Sequence, residues 1–162
     1  MTGGILFGLT FASALGCGLI AGVFFAFSTF VMKALARLPA PQGIAAMQSI
    51  NVAVINPWFM GVFLGTAAIC VLLAGTALLC WRRAASHYLL AGSILYLFGS
   101  VLITMSCNVP RNNALAIVGA AANGPAVWTQ FVSEWSAWNH VRTTASFLAA
   151  GCFTIGITKF VS

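Results

Sequence analysis

Long stretches without a charged side chain constrain this sequence more than any other feature. Five such stretches occur, at residues 1–32, 38–81, 84–110, 112–133 and 143–158. A helix needs about 20 predominantly apolar residues to cross the hydrocarbon core of a bilayer. Charged residues make up 5% of the chain, whereas a soluble domain carries roughly 25%. The sequence therefore predicts an integral membrane protein and excludes a water-soluble fold.

Four membrane spans follow when the apolar stretches are divided at Pro, Gly and the charged residues. They are predicted at about 5–35, 58–80, 86–107 and 138–160. The first apolar run is too long for a signal-peptide core and has no basic residue ahead of it, so it is expected to be retained. No linker or repeat divides the chain. We therefore predict one all-α domain over residues 1–162, an integral membrane four-helix bundle.

The connection between the first two spans has helical character. Four of its residues share one face of a short helix: Ile44, Met47, Gln48 and Asn51. We predict an interfacial helix here. Two roles remain open for it, a lid that brings Asn51 to a ligand pocket and a weakly amphipathic segment with no part in chemistry.

The balance of charge bears on partners and orientation. Seven Lys and Arg against one acidic residue give a net charge of +6, but the basic residues are scattered, so nucleic acid is not an expected partner. The expected partners are the lipid bilayer and a hydrophobic small molecule. Arg82 and Arg83 occupy the shortest loop, where the positive-inside bias is strongest, and this places both termini in the cytoplasm.

Glycine pairs with four-residue spacing occur in the first two spans. They are Gly4/Gly8, Gly18/Gly22 and Gly61/Gly65. This spacing lets two helices approach closely in lipid. We expect these pairs to pack within the bundle, while a homo-oligomer or a larger membrane complex remains open.

Residues 128–142 form the most unusual stretch, with three Trp, the only acidic residue and one of the two His. Trp and charged residues concentrate at membrane interfaces without any function, but Glu134 with Asn139 and Arg142 at the membrane edge favours a site. On one continuous helix, six residues share a face: Trp128, Phe131, Trp135, Trp138, Asn139 and Arg142. His140 lies roughly 100° to 160° from most of them, so a site that uses both His140 and Arg142 needs a helix break near 136–137 or two different neighbours.

His140 has two interpretations. If the last span begins near Trp138, His140 falls in its first turn, where the positive end of the helix dipole keeps the imidazole neutral and able to act as a base. The alternative is a hydrogen bond to a loop carbonyl at the interface.

The third span is expected to end in a turn at Asn108-Val-Pro110, because a proline disfavours helix at the residue before it. Local capping by asparagine is one interpretation of this segment. In the other, Asn108 and Arg111 meet Asn139, His140 and Arg142 in an electropositive pocket, and Glu134 pairs with one arginine. No nucleotide-binding or metal-ligand motif is present, so neither a cofactor nor a metal is expected.

Several motifs resemble one known family. They are Phe25-Ala-Phe-Ser-Thr-Phe-Val-Met32, Gln42-Gly-Ile-Ala-Ala-Met-Gln48, Asn56-Pro57, Asn108-Val-Pro110 and Trp135-Ser-Ala-Trp-Asn-His-Val-Arg-Thr143. They resemble the DUF1772 family, the anthrone oxygenase-like membrane proteins, over nearly the whole chain. Lys33 and Arg111 depart from the family pattern and add positive charge. Most members are small bacterial membrane proteins, which implies the bacterial inner membrane as the location.

The resemblance also implies an activity, since fungal relatives oxidise anthrones to anthraquinones with molecular oxygen and without metal or flavin. On that basis His140 is the candidate base, while Arg142 or Arg111 with Asn108 and Asn139 stabilises the oxyanion. Trp135 and Trp138 are then expected to stack on the planar substrate. The competing function is non-enzymatic, an accessory subunit of a larger membrane complex or a quinone or lipid binder. Transport ranks last, because no span centre carries a charged pair.

Overall fold

Five helices make up the protein over the residues that its computed structural model describes, 3–81, 84–118 and 124–161. In chain order they are α1 (Gly3–Leu35), α2 (Ala40–Ala53), α3 (Pro57–Leu79), α4 (Ser86–Ala116) and α5 (Gly124–Val161). All but α2 are long and apolar enough to cross a membrane. The fold is an all-α membrane bundle, with the short helix α2 between the first two spans.

Helices α1, α3, α4 and α5 pack around one apolar core. Its fully buried members include Cys17, Leu73, Tyr96 and Phe153. The phenol of Tyr96 donates a hydrogen bond of 3.1 Å to the backbone carbonyl of Phe63. This bond satisfies a hydroxyl that would otherwise be costly to bury.

Helix α2 covers one end of the bundle. Its residues Ile44 and Met47 are buried in a second apolar cluster with Leu115 of α4 and Trp128 of α5. The amide of Gln48 donates to the carbonyl of Leu115 at 2.8 Å. The predicted shared face of α2 therefore packs against α4 and α5.

Two predicted helix ends differ from the structure. The third helix does not turn at Pro110 but continues to Ala116, and the last begins at Gly124 rather than near 138. Pro110 follows a π-helical turn at Thr104–Asn108 and lies in the first turn of the next helical segment, a position where a proline without an N–H is tolerated. Arg82 and Arg83, on which the predicted orientation depends, lie outside the described residues.

The glycine pairs do not pack as expected. Among the described residues, and apart from the backbone of its own helix, no heavy atom lies within 4 Å of a Cβ placed at any of six glycines: Gly4, Gly8, Gly18, Gly22, Gly61 and Gly65. The close approach of α4 and α5 instead occurs at Gly99, where an added Cβ would overlap the Cβ of Ala145. Four-residue spacing marks a narrow helix face, but it does not specify which neighbour the face meets.

Candidate functional site

Arg142 lies inside the bundle, midway along α5, with 4% of its surface exposed. Its Nη2 donates to Oδ1 of Asn139 at 2.7 Å, and its Nη1 donates to Oγ1 of Thr104 on α4 at 3.0 Å. Asn139 is three residues earlier on the same helix, so the two side chains share a face. These bonds hold the guanidinium between α4 and α5.

Two aromatic rings enclose the guanidinium. The Cζ atom of Arg142 is 4.2 Å from the centre of the Phe24 ring on α1 and 5.1 Å from that of Trp135. A cation over an aromatic face is attracted by the electron density of the ring. The Phe24 ring in turn meets Phe63 at 6.5 Å, six residues or about 9 Å into α3 from Pro57. The guanidinium therefore lies inside the bundle, deeper than Pro57, the first residue of the second span (α3).

No carboxylate balances the charge of Arg142. Glu134 is the only acidic side chain in the sequence, and it pairs with Arg111 at 3.0 Å. The Nε atom of Arg142 is buried and has no hydrogen-bond partner among the described residues. An ionisable group at membrane depth is costly, and such groups usually mark ligand or ion sites. The site thus presents a fixed cation with an unused donor.

Asn139 connects this cation to α1. Its Nδ2 donates to the carbonyl of Phe24 at 2.8 Å and to Oγ of Ser28 at 2.7 Å. The hydroxyls of Ser28 and Thr143 lie 3.0 Å apart. The chain from Phe27 to Val31 forms a π-helical turn, a feature that often occurs at functional sites. Helix α1 therefore fixes the side chain of Asn139, and Asn139 in turn orients Arg142.

A second polar layer lies towards α2. Nδ2 of Asn108 donates to the carbonyl of Trp135 at 3.2 Å, and the indole N–H of Trp135 donates to Oδ1 of Asn112 at 2.8 Å. Oδ1 of Asn108 is buried without a partner among the described residues. The Trp135 ring also packs against Phe27 and Phe131, with ring centres 5.6 Å and 6.4 Å away. Asn108 therefore offers a free acceptor beside an already packed indole.

Arg111 and Glu134 lie at the margin of this layer. Nη1 of Arg111 donates to the carbonyl of Cys107 at 2.7 Å, and Gln130 donates to Oε1 of Glu134 at 2.8 Å. The side chains of Arg111 and Glu134 are 29% and 42% exposed. The structure therefore pairs these two residues with each other and not with Arg142.

His140 does not join the predicted pocket. Helix α5 is continuous from Gly124 to Val161, so residues 140 and 142 point about 200° apart. His140 is exposed on the outer side of the helix, whereas Arg142 is buried. The helix begins sixteen residues before His140, which removes the first-turn dipole that was expected to keep its imidazole neutral.

Two further predicted residues, Trp138 and Asn51, are not among the described hydrogen-bond and ring partners of Arg142. Trp138 is half-buried. Asn51 belongs to α2, and its Nδ2 is buried without a partner among the described residues. In the part of the chain that the structure describes, no three His, Cys, Asp or Glu side chains lie close enough together to hold a metal ion.

Sequence reasoning missed three residues that bind the predicted pair. Thr104 accepts from Arg142, while Ser28 and the carbonyl of Phe24 accept from Asn139. All three residues lie inside predicted apolar spans, where polar partners were not looked for. One signal was available, since Thr104 is one helical turn before Asn108 and so shares its helix face.

Comparison with known proteins gives one match. No curated protein and no solved structure matches this sequence. The profile of the family described as anthrone oxygenase matches residues 59–152, more than half of the chain. The matched stretch includes Thr104, Asn139 and Arg142, whereas Phe24 and Ser28 lie before it. This protein belongs to the anthrone oxygenase family.

Proposed function

We propose that this protein oxidises a planar anthrone- or phenol-type substrate with molecular oxygen, inside the membrane and without a cofactor. The observation that carries the proposal is the buried cation of Arg142, which no carboxylate neutralises. A substrate that becomes an anion during the reaction would supply the missing charge. Apolar rings around the guanidinium suit a flat hydrophobic molecule that arrives from the lipid.

The chemistry requires little from the protein beyond charge stabilisation. An anthrone has an acidic C–H group, and loss of that proton gives an enolate with its charge largely on oxygen. The enolate passes one electron to O2, and the resulting radical and superoxide combine to form a C–O bond. The peroxide takes up a proton and loses water to leave the second carbonyl. One anthrone and one O2 thus give one anthraquinone and one water.

Arg142 has the central role in this scheme. Its Nε–H binds the enolate oxygen and lowers the free energy of the anion in a site of low dielectric constant. Asn139 and Thr104 are positioning residues, because they fix the other two nitrogens of the guanidinium. The free Oδ1 of Asn108 accepts a hydroxyl hydrogen of the substrate. The substrate proton passes to water, since His140 is on the opposite side of α5.

Oxygen uptake and anthraquinone formation by the purified protein test this function. With anthrone as substrate, Arg142→Gln is expected to lose about 100-fold or more in kcat, the loss typical of one missing oxyanion donor. Arg37→Gln is the matched control, because it removes an exposed cation from the turn after α1. Equal activity in Arg142→Gln and the unchanged protein, or an equal loss in Arg37→Gln, would contradict the proposal.

The outward glycine faces favour a second candidate, an accessory subunit of a larger membrane assembly or a homo-oligomer. Within the part of the chain that the structure describes, no side chain lies within 4 Å of a Cβ placed at Gly18, Gly22, Gly61 or Gly65, so another helix can approach these faces. The native mass of the purified protein separates the candidates when it is measured beside oxygen uptake. A monomer that consumes oxygen with anthrone supports the enzyme alone. An oligomer that Gly61→Leu dissociates, without any oxygen uptake, supports the subunit.

We also propose that the protein resides in a bacterial inner membrane, as the family resemblance implies, and that both termini lie in the cytoplasm, because Arg82 and Arg83 occupy the short loop. Cysteine labelling from either side of sealed vesicles tests this orientation. Arg142 and α2 would then lie towards the outer face.

A further inference from the structure

Two serine hydroxyls lie one helical turn further from α2 than Arg142 does. Ser100 precedes Thr104 by one turn on α4, and Ser146 follows Arg142 by one turn on α5. Thr104 and Arg142 are hydrogen-bonded to each other across these two antiparallel helices. The serines therefore lie at one level, a turn beyond this bond, and both are fully buried.

Neither of these hydroxyls has a hydrogen-bond partner among the described residues. The usual partner in a helix is the carbonyl four residues earlier, and Thr104 uses it, since its hydroxyl donates to the carbonyl of Ser100 at 2.8 Å. An unpartnered hydroxyl inside a membrane costs free energy that an alanine would not cost. Two such hydroxyls, next to an arginine whose Nε–H also lacks a described partner, point to a ligand that accepts hydrogen bonds.

The smallest side chains of the interface lie beside the two serines. Gly99 precedes Ser100, Ala145 precedes Ser146, and a Cβ added to the glycine would overlap that of the alanine. Ser100 also belongs to a π-helical turn, Leu97–Leu102, a feature that often occurs at functional sites. A ligand at this level has to be small, because α4 and α5 are too close together there for an aromatic ring.

The proposed oxidation includes one small molecule that becomes an anion, because O2 accepts an electron from the enolate. In that step the negative charge moves from the oxygen bound by Arg142 to the O2 molecule. An anthrone is oxidised at the carbon across the central ring from its oxygen. An O2 molecule beside that carbon therefore lies roughly one helical turn, about 5.4 Å, from the enolate oxygen. The two serines are displaced from Arg142 by the same distance along the bundle.

We propose that Ser100 and Ser146 bind the O2 that is reduced, and that their hydroxyls donate hydrogen bonds to the superoxide as it forms. One electron moves from the enolate to O2 in this step, and no proton is transferred. A hydrogen bond to an anion is stronger than one to neutral O2, so the two hydroxyls favour the electron transfer. The inference rests on the proposed oxidation and assigns two further catalytic residues to it.

Anaerobic mixing followed by the addition of O2 separates the two steps of the reaction. The enolate of anthrone absorbs at longer wavelength than neutral anthrone, so stopped-flow absorbance measures its formation without O2 and its decay with O2. Ser100→Ala and Ser146→Ala are each expected to form as much enolate as the unchanged protein. Each is expected to lower the rate constant of decay about tenfold, the effect of one lost hydrogen bond to an anion. Arg142→Gln is expected to form no enolate.

Ser93→Ala is the matched control for the serine variants. It removes from α4, two turns before Ser100, another hydroxyl that is fully buried and, in the described part of the chain, unpartnered. Its rate constant of enolate decay is expected to be unchanged. All three serine variants are expected to unfold at a denaturant concentration no lower than the unchanged protein, because none of them loses a described hydrogen bond.

Several results would overturn the proposal. Unchanged decay in both Ser100→Ala and Ser146→Ala, in a protein that oxidises anthrone, would leave the oxygenase function in place and remove the O2 site. An equal decrease in Ser93→Ala would assign the effect to the loss of any buried hydroxyl. Less enolate in the serine variants would place their hydroxyls at the enolate oxygen and not at O2. Absence of both enolate and oxygen uptake in the unchanged protein would overturn the oxygenase function itself, and the O2 site with it.

Discussion

Asn139 and Arg142 lie one turn apart on α5, and Nη2 of the arginine donates a hydrogen bond of 2.7 Å to Oδ1 of the asparagine. The other end of the amide is also occupied, since Nδ2 donates to the carbonyl of Phe24 and to Ser28. These bonds fix which way the amide points, with its oxygen towards the guanidinium. A neutral oxygen orients Arg142 but leaves its charge free for a ligand.

Asn139→Asp is the sharpest test of that free charge. The substitution places a carboxylate against Arg142, so the guanidinium gains an internal counter-ion and has less affinity for an anionic substrate. We expect oxygen uptake with anthrone to fall at least about tenfold, a loss of about 1.4 kcal/mol in transition-state stabilisation. Asn113→Asp is the matched control, because Asn113 is exposed on α4. Equal activity in the two variants would argue against a role for the uncompensated charge.

Arg142→Met separates function from stability. An unpaired buried cation costs several kcal/mol in lost hydration, and apolar replacements of buried charges are often neutral or stabilising. Its two hydrogen bonds return roughly 1.5–3 kcal/mol each. We therefore expect Arg142→Met to unfold at a denaturant concentration no lower than the unchanged protein, while oxygen uptake is lost.

Phe153→Ala calibrates the unfolding measurement. Phe153 is fully buried in the apolar core, so its truncation is expected to cost about 3–5 kcal/mol. If Arg142→Met were destabilised as strongly as Phe153→Ala, Arg142 would be a structural residue and the functional argument would lose its basis.

The sequence was sufficient to predict the parts of the site that depend on one helix. A period of about 100° per residue put Trp135, Asn139 and Arg142 on one face, and all three are buried. The same period separated His140 from them. The contacts of Thr104 and Phe24 with this face were not predictable, because they depend on the axial position of α4 and α1 relative to α5. Nothing local in the sequence specifies that register.

The helix ends show the same limit. A proline normally ends a helix, and Pro110 was expected to do so, but the π-helical turn at Thr104–Asn108 accommodates it and α4 continues. Glu134 was expected to precede the last span, which was predicted to begin near residue 138. In the structure it belongs to the part of α5 that extends beyond the apolar span, where a helix needs only one buried face.

Gly99 and Ala145 test the close contact that brings α4 to α5. Gly99→Ala places a methyl group against the Cβ of Ala145, and overpacking of this kind costs typically about 1–3 kcal/mol. The double variant Gly99→Ala with Ala145→Gly is expected to recover most of the lost stability, since the added and removed methyl groups occupy the same space. Unfolding free energies of the four proteins in this cycle give the coupling.

Gly61→Ala is the control for this cycle. Gly61 is exposed, and no described heavy atom outside the backbone of its own helix lies within 4 Å of its Cβ position, so the substitution is expected to stabilise α3 by about 0.4–1 kcal/mol through helix propensity. A destabilised Gly61→Ala together with an unaffected Gly99→Ala would mean that the helix face at Gly61, and not the one at Gly99, is closely packed against a neighbouring helix.

His140→Ala distinguishes the structure-based mechanism from the one that the sequence alone suggested. A histidine base predicts that oxidation is lost in His140→Ala, because in that mechanism the imidazole is the group that removes the substrate proton. In the structure His140 is on the side of α5 opposite Arg142, and the proposed oxyanion site does not include it. We therefore expect kcat to fall less than about threefold in His140→Ala, against about 100-fold or more in Arg142→Gln. Comparison of the two variants at saturating anthrone, with far-ultraviolet circular dichroism to verify folding, decides between the mechanisms. A loss in His140→Ala as large as that in Arg142→Gln would assign the proton to the imidazole and require the substrate to reach both sides of α5.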